Sequence, residues 1–143
     1  MTATVDPSGA TVGTQLPTQD FPLSRFDLVR YAGASGDFNP IHWNERFAKS
    51  VGLPDVIAHG MLTMATAVRV ITDWTKDPGS VIEYSVRFTR PVVVPDPEGA
   101  TLSVAGVVRA IRDDGLLEVD LTATVNDQTV LAKARAVVRV LPR

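Results

Sequence analysis

An aspartate and a histidine lie five residues apart on a bend rich in glycine and turn-forming residues. The stretch YAGASGDFNPIH, residues 31–42, places Asp37 before and His42 after the dipeptide Asn39-Pro40. Proline disfavours helical backbone for the residue before it, so the chain is expected to turn here and bring the two side chains together. An acid–base reaction near neutral pH needs one group that takes a proton and another that gives one. An Asp–His pair, tuned by burial and by mutual contact, can do both.

The same residues also have an ordinary structural interpretation. Asp and Asn stabilise turns by bonding to nearby backbone, Pro fixes the turn, and a lone His is more often structural than catalytic. The catalytic interpretation gains weight from the positions of the two histidines of the chain. His42 follows the Asn39-Pro40 turn and His59 directly precedes Gly60.

Gly60 is the second part of the candidate site. In the stretch AHGM it lies at the start of a long apolar segment, where the positive end of a helix dipole and an unhindered backbone N–H would attract an anionic oxygen. Taken alone, Gly60 is better explained as a glycine that permits close backbone approach. Together with Asp37 and His42 it supplies an oxyanion donor for enolate chemistry.

Three helices are predicted around these residues. Ser24 and Asp27 form a capping-box variant that opens a helix over RFDLVRYAG, which Gly33 and Gly36 are expected to end. NERFAKS predicts a short surface helix, and VGLPDVIAHG a connecting loop. The segment from Met61 to about Trp74 has neither Gly nor Pro and is apolar around most of its circumference, which predicts a helix buried in the middle of the fold.

Beyond Gly79 the apolar residues alternate with polar ones, a pattern that predicts four strands separated by turns. Each strand is expected to turn one apolar face toward the buried helix. These faces contain Tyr84, Val86 and Phe88 in the first strand, Leu102, Val104, Gly106 and Val108 in the second, Leu117, Val119, Leu121 and Ala123 in the third, and Ala132, Ala134, Ala136 and Val138 in the fourth.

A two-residue turn at Asn126-Asp127 would fix the register of the last two strands. It would place Glu118 opposite Arg135 and Asp120 opposite Lys133, so that opposite charges face each other across the ladder. A slip by one residue would turn the apolar side chains to water.

These elements predict one α+β domain in which an antiparallel sheet wraps around a central helix. Residues 1–12 have neither a basic start nor an apolar run, so we expect a flexible N-terminal tail, followed by the domain over residues 13–143. The net charge of −2 disfavours nucleic acid and anionic membranes as partners. The absence of cysteine excludes disulfides and thiolate chemistry and fits a cytoplasmic location.

The motif over residues 31–42, followed after five residues by Ala48, resembles the signature of the MaoC-like (R)-specific enoyl hydratase and dehydratase family. The segments FPLSRFDLVRYAGASGDFNPIHW, GLPDVIAHGMLTM and EYSVRFTRPVVVP are similar to one branch of that family. This branch comprises the B subunits of the (3R)-hydroxyacyl-acyl-carrier-protein dehydratase of mycolic-acid elongation. The resemblance implies a single hot-dog fold and a hydro-lyase that interconverts 3-hydroxyacyl and enoyl thioesters.

The resemblance also implies roles for individual residues. Asp37 and His42 match the catalytic acid–base pair, and Gly60 matches the glycine whose N–H holds the thioester carbonyl oxygen. Asn39 matches a residue that orders the site, whereas Ser35 and His59 line it with less defined roles. The resemblance implies no metal or other resident cofactor. The substrate itself is carried on the phosphopantetheine of an acyl carrier protein or of CoA.

The family further implies a second hot-dog subunit, with a heterodimer favoured over a homodimer. Arg87 and Arg90 could meet phosphates or an acidic carrier protein, or simply form the solvated face of a strand. The alternative function is that of a non-catalytic hot-dog subunit that binds acyl chains for a partner. A hot-dog thioesterase fits poorly, since MLTMATAVRVI lacks the carboxylate that such enzymes place on the core helix.

Overall fold

The computed structural model describes residues 5–141, which form a five-stranded antiparallel sheet wrapped around one long helix. The strand order is β1-β3-β4-β5-β2, which makes β1 and β2 the two edges. The strands are β1 (Gln15–Leu23), β2 (Val81–Phe88), β3 (Ala100–Ile111), β4 (Leu117–Val125) and β5 (Gln128–Val138), and the helices are α1 (Arg25–Ser35), α2 (Glu45–Ser50) and α3 (Gly60–Thr75). The predicted α+β class and hot-dog fold are confirmed.

Helix α1 begins as predicted and ends later than predicted. Ser24 and Asp27 form a complete capping box, in which each side chain accepts from the backbone N–H of the other residue. Gly33 does not end the helix, because a glycine in an α-helix weakens it without breaking a hydrogen bond. Gly36 is the C-cap, with a φ of 76° that disfavours other residues.

Helix α3 is the predicted core helix, although it is buried on one side only. Its buried residues include Val70 and Ile71, both fully inaccessible to solvent. Met61, Ala65 and Arg69 lie on an exposed side, so the prediction of burial nearly all round is wrong for this chain by itself. The physical reason is that a single five-stranded sheet covers only part of the circumference of a helix.

Strand β1 was not predicted from the sequence. Its two prolines, Pro17 and Pro22, argue against a central strand, since proline has no N–H to donate to a ladder. The structure satisfies this restriction by placing β1 at an edge, paired only with β3, with a bulge between Leu16 and Gln19. β1 therefore completes the sheet as an edge strand, the position in which proline is tolerated.

The β4–β5 hairpin has the predicted turn and a different register. Asn126 and Asp127 adopt φ values of 48° and 61°, as a two-residue hairpin turn requires. Two irregularities follow, one on each side of Ala123, and they shift the pairing so that Asp120 lies opposite Arg135. The predicted Glu118–Arg135 and Asp120–Lys133 pairs are therefore wrong. The slip amounts to two residues, an even number, and the apolar face is preserved.

The apolar faces of β3 and β4 are buried as predicted, and Ala134, Ala136 and Val138 of β5 are buried too. Phe88, expected on the buried face of β2, is instead 55% exposed. β2 is an edge strand, and its last residue, Phe88, pairs with Leu131 of β5 while its ring lies beside Gly60 at the start of α3.

The predicted N-terminal tail is only partly within the described residues. Residues 1–4 lie outside them, whereas residues 5–12 include a short 3-10 turn at Pro7–Gly9. Trp74 donates a hydrogen bond from Nε1 to the carbonyl oxygen of Val5 at 2.9 Å, and Ala10 packs against the core. The domain boundary at residue 13 stays a prediction. Within residues 5–141, no helix combines the length and the apolar character needed to cross a bilayer.

Candidate active site

The bend after α1 is shaped by three local side chains. Ser35 Oγ accepts a hydrogen bond from the Asp37 N–H at 3.2 Å, and Asp37 Oδ1 accepts one from the Asn39 N–H at 3.1 Å. The Asn39 side chain then caps a 3-10 turn at Pro40–His42 by accepting from the Ile41 N–H at 3.3 Å. The polar residues of the motif thus fold the bend by bonding to its own backbone.

This bend brings Asp37 and His42 together. Asp37 Oδ2 lies 3.9 Å from His42 Nε2, while Oδ1 is held by the backbone. The His42 side chain is only 8% exposed, whereas that of Asp37 is 53% exposed. The two groups are thus neighbours, slightly beyond hydrogen-bond distance, and occupy very different surroundings.

The state of His42 is set by the loop that precedes α3. Its Nδ1 lies 2.7 Å from the carbonyl oxygen of Ile57, which can only accept, so Nδ1 carries the proton and Nε2 presents a lone pair toward Asp37. Burial lowers the pKa of His42, and the neighbouring His59 adds to this, against opposing contributions from the Ile57 carbonyl and from Asp37. At neutral pH, His42 is therefore an uncharged base.

His59 lies directly behind His42. The two rings are stacked, with centroids 3.8 Å apart and planes inclined by 21°. The Nε2 atom of His59 lies 3.1 Å from the backbone carbonyl oxygen of Asp37, and the residue is 2% exposed. The predicted site residue His59 is thus in contact with both members of the acid–base pair.

Gly60 is the first residue of α3, as its proposed role requires. Within residues 5–141 the structure gives its N–H no hydrogen-bond acceptor, in keeping with the unsatisfied donors of a helix start. A Cβ placed on Gly60 would come within 3.1 Å of the Phe88 ring. Any side chain here would have to displace that ring, which explains why the position is a glycine.

His42 and Gly60 line one cavity of about 300 Å³. The cavity opens beside the end of β2, where Phe88 and Arg90 form part of its wall, and Thr63 and Leu131 also line it. Asp37 is not among the lining residues and approaches His42 from the exposed side. The cavity therefore presents an apolar wall, an uncharged base and an unpaired amide to any molecule inside it.

Several residues of this site were missed from the sequence. The Ile57 carbonyl fixes the tautomer of His42, and Phe88 closes over Gly60. Neither residue belongs to a sequence motif, because Ile57 acts through its backbone carbonyl and Phe88 reaches the site from the end of a strand distant in sequence. Thr63, on the first turn of α3, could have been found from its spacing three residues after Gly60.

Asp37, His42 and His59 also offer a possible metal-binding set, with one ligand atom of each within 4.8 Å of the others. The geometry fits a metal poorly. One nitrogen of each ring already faces a backbone carbonyl, and stacked rings direct their in-plane lone pairs side by side rather than toward a common point. The expectation that the chain holds no resident metal or cofactor stays a prediction.

Curated proteins that are similar to this chain include dehydratases and a hydratase. The chain is 47% identical over 72 residues to the 3-hydroxyacyl-thioester dehydratase X of Mycobacterium tuberculosis, covering 50% of this chain and 25% of that protein. It is 36% identical over 87 residues to the (R)-specific enoyl-CoA hydratase of Rhodospirillum rubrum, covering 60% of each. The 3-hydroxybutyryl-CoA dehydratase of Methylorubrum extorquens is 33% identical, and the match covers 76% of this chain and 68% of that protein. The chain thus spans a quarter to about two thirds of these relatives.

Solved structures agree with the fold. A protein described as a MaoC-like dehydratase matches 94% of this chain with a TM-score of 0.90 and 41% identity, over 42% of its own length. One chain of the ChsH1-ChsH2 complex from Mycobacterium tuberculosis matches 91% of this chain with a TM-score of 0.78 and 22% identity, which shows the fold alone. The family model for the MaoC like domain matches residues 7–127. This chain therefore belongs to the MaoC-like domain family.

Proposed function

We propose that the chain is a hydro-lyase that interconverts (3R)-hydroxyacyl thioesters and trans-2-enoyl thioesters. One observation carries the proposal: the buried, uncharged His42 lies 3.9 Å from Asp37 and shares a cavity with Gly60, whose N–H has no acceptor in the described part of the chain. A base, an acid and an oxyanion donor are the three groups that elimination of water next to a thioester requires. The names of the relatives, dehydratases and a hydratase, support the same chemistry.

In the dehydration direction, His42 Nε2 takes the proton from C2 of the 3-hydroxyacyl thioester. The electron pair of the broken C–H bond moves toward the thioester carbonyl, and the Gly60 N–H stabilises the developing enolate oxygen. The enolate then collapses to the C2=C3 double bond as the C3–O bond breaks, and the departing hydroxyl takes the proton that Asp37 holds in this direction and leaves as water. The proton returns from His42 to Asp37 once the two side chains, 3.9 Å apart in the structure, move to hydrogen-bond distance, and both groups are restored.

Hydration of the enoyl thioester uses the same groups in reverse. Asp37 helps to remove a proton from the attacking water, and His42 delivers a proton to C2. The exposed position of Asp37 suits this role, because water reaches the carboxylate from outside while the acyl group lies in the cavity with His42. Ser35 and Asn39 hold the carboxylate bend in shape and take no part in the proton transfer.

A second hot-dog subunit is the expected partner, and the two sheet edges indicate where it binds. Edge strand β1 contains Pro17, Pro22 and a bulge, which are devices that prevent further strand pairing. Edge strand β2 contains no proline and exposes Ile82 and Phe88. We therefore propose pairing along β2, which would also cover the exposed side of α3.

A heterodimer is favoured over a homodimer. The similarity of the sequence to B-type dehydratase subunits supports this choice. A pairing along β2 would close the cavity beside Phe88 with residues of the partner. Chain-length preference would then depend on both subunits.

The acyl chain is expected to arrive on the phosphopantetheine of an acyl carrier protein or of CoA. Arg90 supports this, since it is exposed at the cavity wall and uses Nη1 to donate to the Thr129 carbonyl oxygen at 3.0 Å, which leaves its other N–H groups for a phosphate. Fatty-acid elongation of the mycolic-acid type, in the cytoplasm, is the proposed setting, and the similarity to a mycobacterial dehydratase supports it.

The test follows the absorbance of the enoyl thioester. The chain is purified alone and together with candidate hot-dog partners, and supplied with crotonyl-CoA, longer trans-2-enoyl-CoA substrates and their carrier-protein counterparts. We expect hydration that depends on Asp37 and His42. Stoichiometric acyl binding with no turnover in any combination would instead identify the chain as the non-catalytic acyl-binding subunit.

A further inference from the structure

We propose that His59 is a positioning residue, which tethers the Asp37 backbone through Nε2–H and supports the ring of His42 from behind. His59 would thereby hold the acid and the base at their working separation without exchanging a proton itself. The catalytic consequence rests on the function proposed above. The tether and the tautomer it requires are properties of the folded chain and can be measured without turnover.

The tether is the main evidence. Apart from one bond, the hydrogen bonds of bend residues 36–39 join residues close in sequence, namely Ala32, Ser35, Asp37, Ile41, His42 and Trp43. Within the part of the chain that the structure describes, one hydrogen bond alone connects this bend to a distant element, and it joins His59 Nε2 to the Asp37 carbonyl oxygen at 3.1 Å across 22 residues. His59 therefore anchors the position of Asp37 relative to α3.

The ring of His59 packs against two other rings. It is stacked on His42 with centroids 3.8 Å apart, and its centroid lies 4.8 Å from that of Tyr31, with the planes tilted by 60°. Only 2% of the residue is exposed. His42 consequently has a flat wall behind it, and this wall limits rotation of the base away from Asp37.

The hydrogen bonding of His59 fixes its tautomer. A carbonyl oxygen can only accept, so Nε2 must carry the proton that it donates to Asp37. Nδ1 is then a lone pair, and it is the one buried side-chain N or O atom of residues 5–141 without a hydrogen-bond partner. A proton on Nδ1 would be buried with no acceptor, which explains how a second imidazole can lie beside the base without competing for the proton.

Two substitutions separate the tether from the stack. His59→Gln keeps an N–H donor at the position of Nε2 and loses the aromatic ring. His59→Phe keeps the ring and loses the donor. We expect His59→Phe to lower kcat by about 10–100-fold with little change in KM, because the carboxyl is misplaced while the binding cavity is kept. His59→Gln should regain most of that loss. A purely structural role of His59 would lower the stability of both variants alike, without the recovery of kcat in His59→Gln.

The deciding experiment is long-range ¹H–¹⁵N NMR of the two imidazoles in the wild-type protein, combined with the kinetics of both variants. We expect the Nε2–H tautomer for His59 and an Asp37 amide resonance that moves in His59→Phe and stays near its wild-type position in His59→Gln. An Nδ1–H tautomer, or an active wild type whose kcat is unchanged in both variants, would overturn the inference. If His59→Phe does not fold, the tautomer and the His59→Gln kinetics decide it.

The outcomes also separate this inference from the function on which it rests. The expected tautomer and amide shifts in a protein without hydratase activity would support the tether and remove the proposed function. Full hydratase activity with an Nδ1–H tautomer of His59 would support the proposed function and exclude the tether.

Discussion

The molecule contains two pairs in which an aspartate lies close to a basic side chain, and the surroundings of the two pairs differ. Asp120 and Arg135 face each other on the outside of the β4–β5 ladder, with Oδ1 and Nε 2.7 Å apart and both side chains about two-fifths exposed. Asp37 and His42 are further apart, at 3.9 Å, and only the carboxylate is exposed. The closer pair, Asp120–Arg135, is an ordinary surface ion pair.

Burial of one partner, and not proximity, is what sets the proposed catalytic pair apart. In the hairpin, the aspartate raises the pKa of an arginine that is charged in any case, and water screens both. At the bend, burial lowers the pKa of His42 and leaves an uncharged base beside a carboxylate that is open to solvent. The same substitution in each pair should therefore have very different effects.

The largest effect is expected from Asp37→Asn. The amide can still accept from the Asn39 N–H, so the bend should keep its shape while the acid is lost. We expect kcat for enoyl-thioester hydration to fall by about 10²–10⁴-fold, the usual contribution of a positioned acid or base. Steady-state kinetics with crotonyl-CoA measures this, and circular dichroism checks the fold. Retained activity would show that the carboxyl of Asp37, like that of Asp120, is not needed for catalysis.

Gly60→Ala should have the next largest effect. The added Cβ would meet the Phe88 ring at 3.1 Å, and either the ring or the start of α3 must shift. Alanine keeps the backbone N–H, but this shift and the new methyl group would move or obstruct it, so we expect kcat to fall by up to about 10²–10³-fold.

The matched control is Gly33→Ala, at a helical position with open space around it. This change should leave kcat unaltered and stabilise the fold by about 0.4–1 kcal/mol, measured by denaturant unfolding. Equal kinetics for the two alanine variants would contradict the role of Gly60.

A smaller and continuous effect is expected from pH. In the dehydration direction, His42 must be uncharged to act as the base, so kcat/KM for the 3-hydroxyacyl thioester should rise as pH rises through the pKa of His42. Because burial places that pKa below the ordinary 6.5, the midpoint of the rise should lie below pH 6.5. A pH-rate profile from pH 4.5 to 8 measures it, with the stability of the protein checked at each pH. A midpoint above 6.5 would mean that His42 resembles an exposed histidine.

The smallest effect is expected from Asp120→Asn, the counterpart of Asp37→Asn. Arg135 loses its partner at 2.7 Å, but both side chains remain in contact with solvent and Arg109 stays nearby. We expect unchanged kcat and KM and only a slight decrease in melting temperature, by differential scanning fluorimetry. A large stability loss would show that the ladder depends on this pair to keep its bulged register.

Much of the site could be predicted because its order is local. The spacing of Asp37, Asn39 and His42 implies a bend, since each polar side chain there bonds to backbone within a few residues. The position of Gly60 at the start of a helix could be predicted from the uninterrupted apolar run after it. These features depend on short-range chemistry, which is readable in the order of residues.

The hairpin shows the limit of such reasoning. The Asn126-Asp127 turn could be predicted from its residue types, whereas the irregularities beside Ala123 could not. Each irregularity places one extra residue in β5, and Lys133, beside one of them, has a φ of 47° that its residue type does not predict. The register was therefore wrong by two residues although the buried face was right.

The sequence by itself determined the bend, the helix that follows it and the alternation of the strands, because each depends on contacts between residues near one another along the chain. Only the tertiary structure decided which member of the Asp37–His42 pair is buried, which carbonyl fixes the His42 tautomer and which ring covers Gly60. Those features come from Ile57, His59 and Phe88, which reach the bend from other parts of the fold. The physical reason is that burial and desolvation depend on everything that packs around a group.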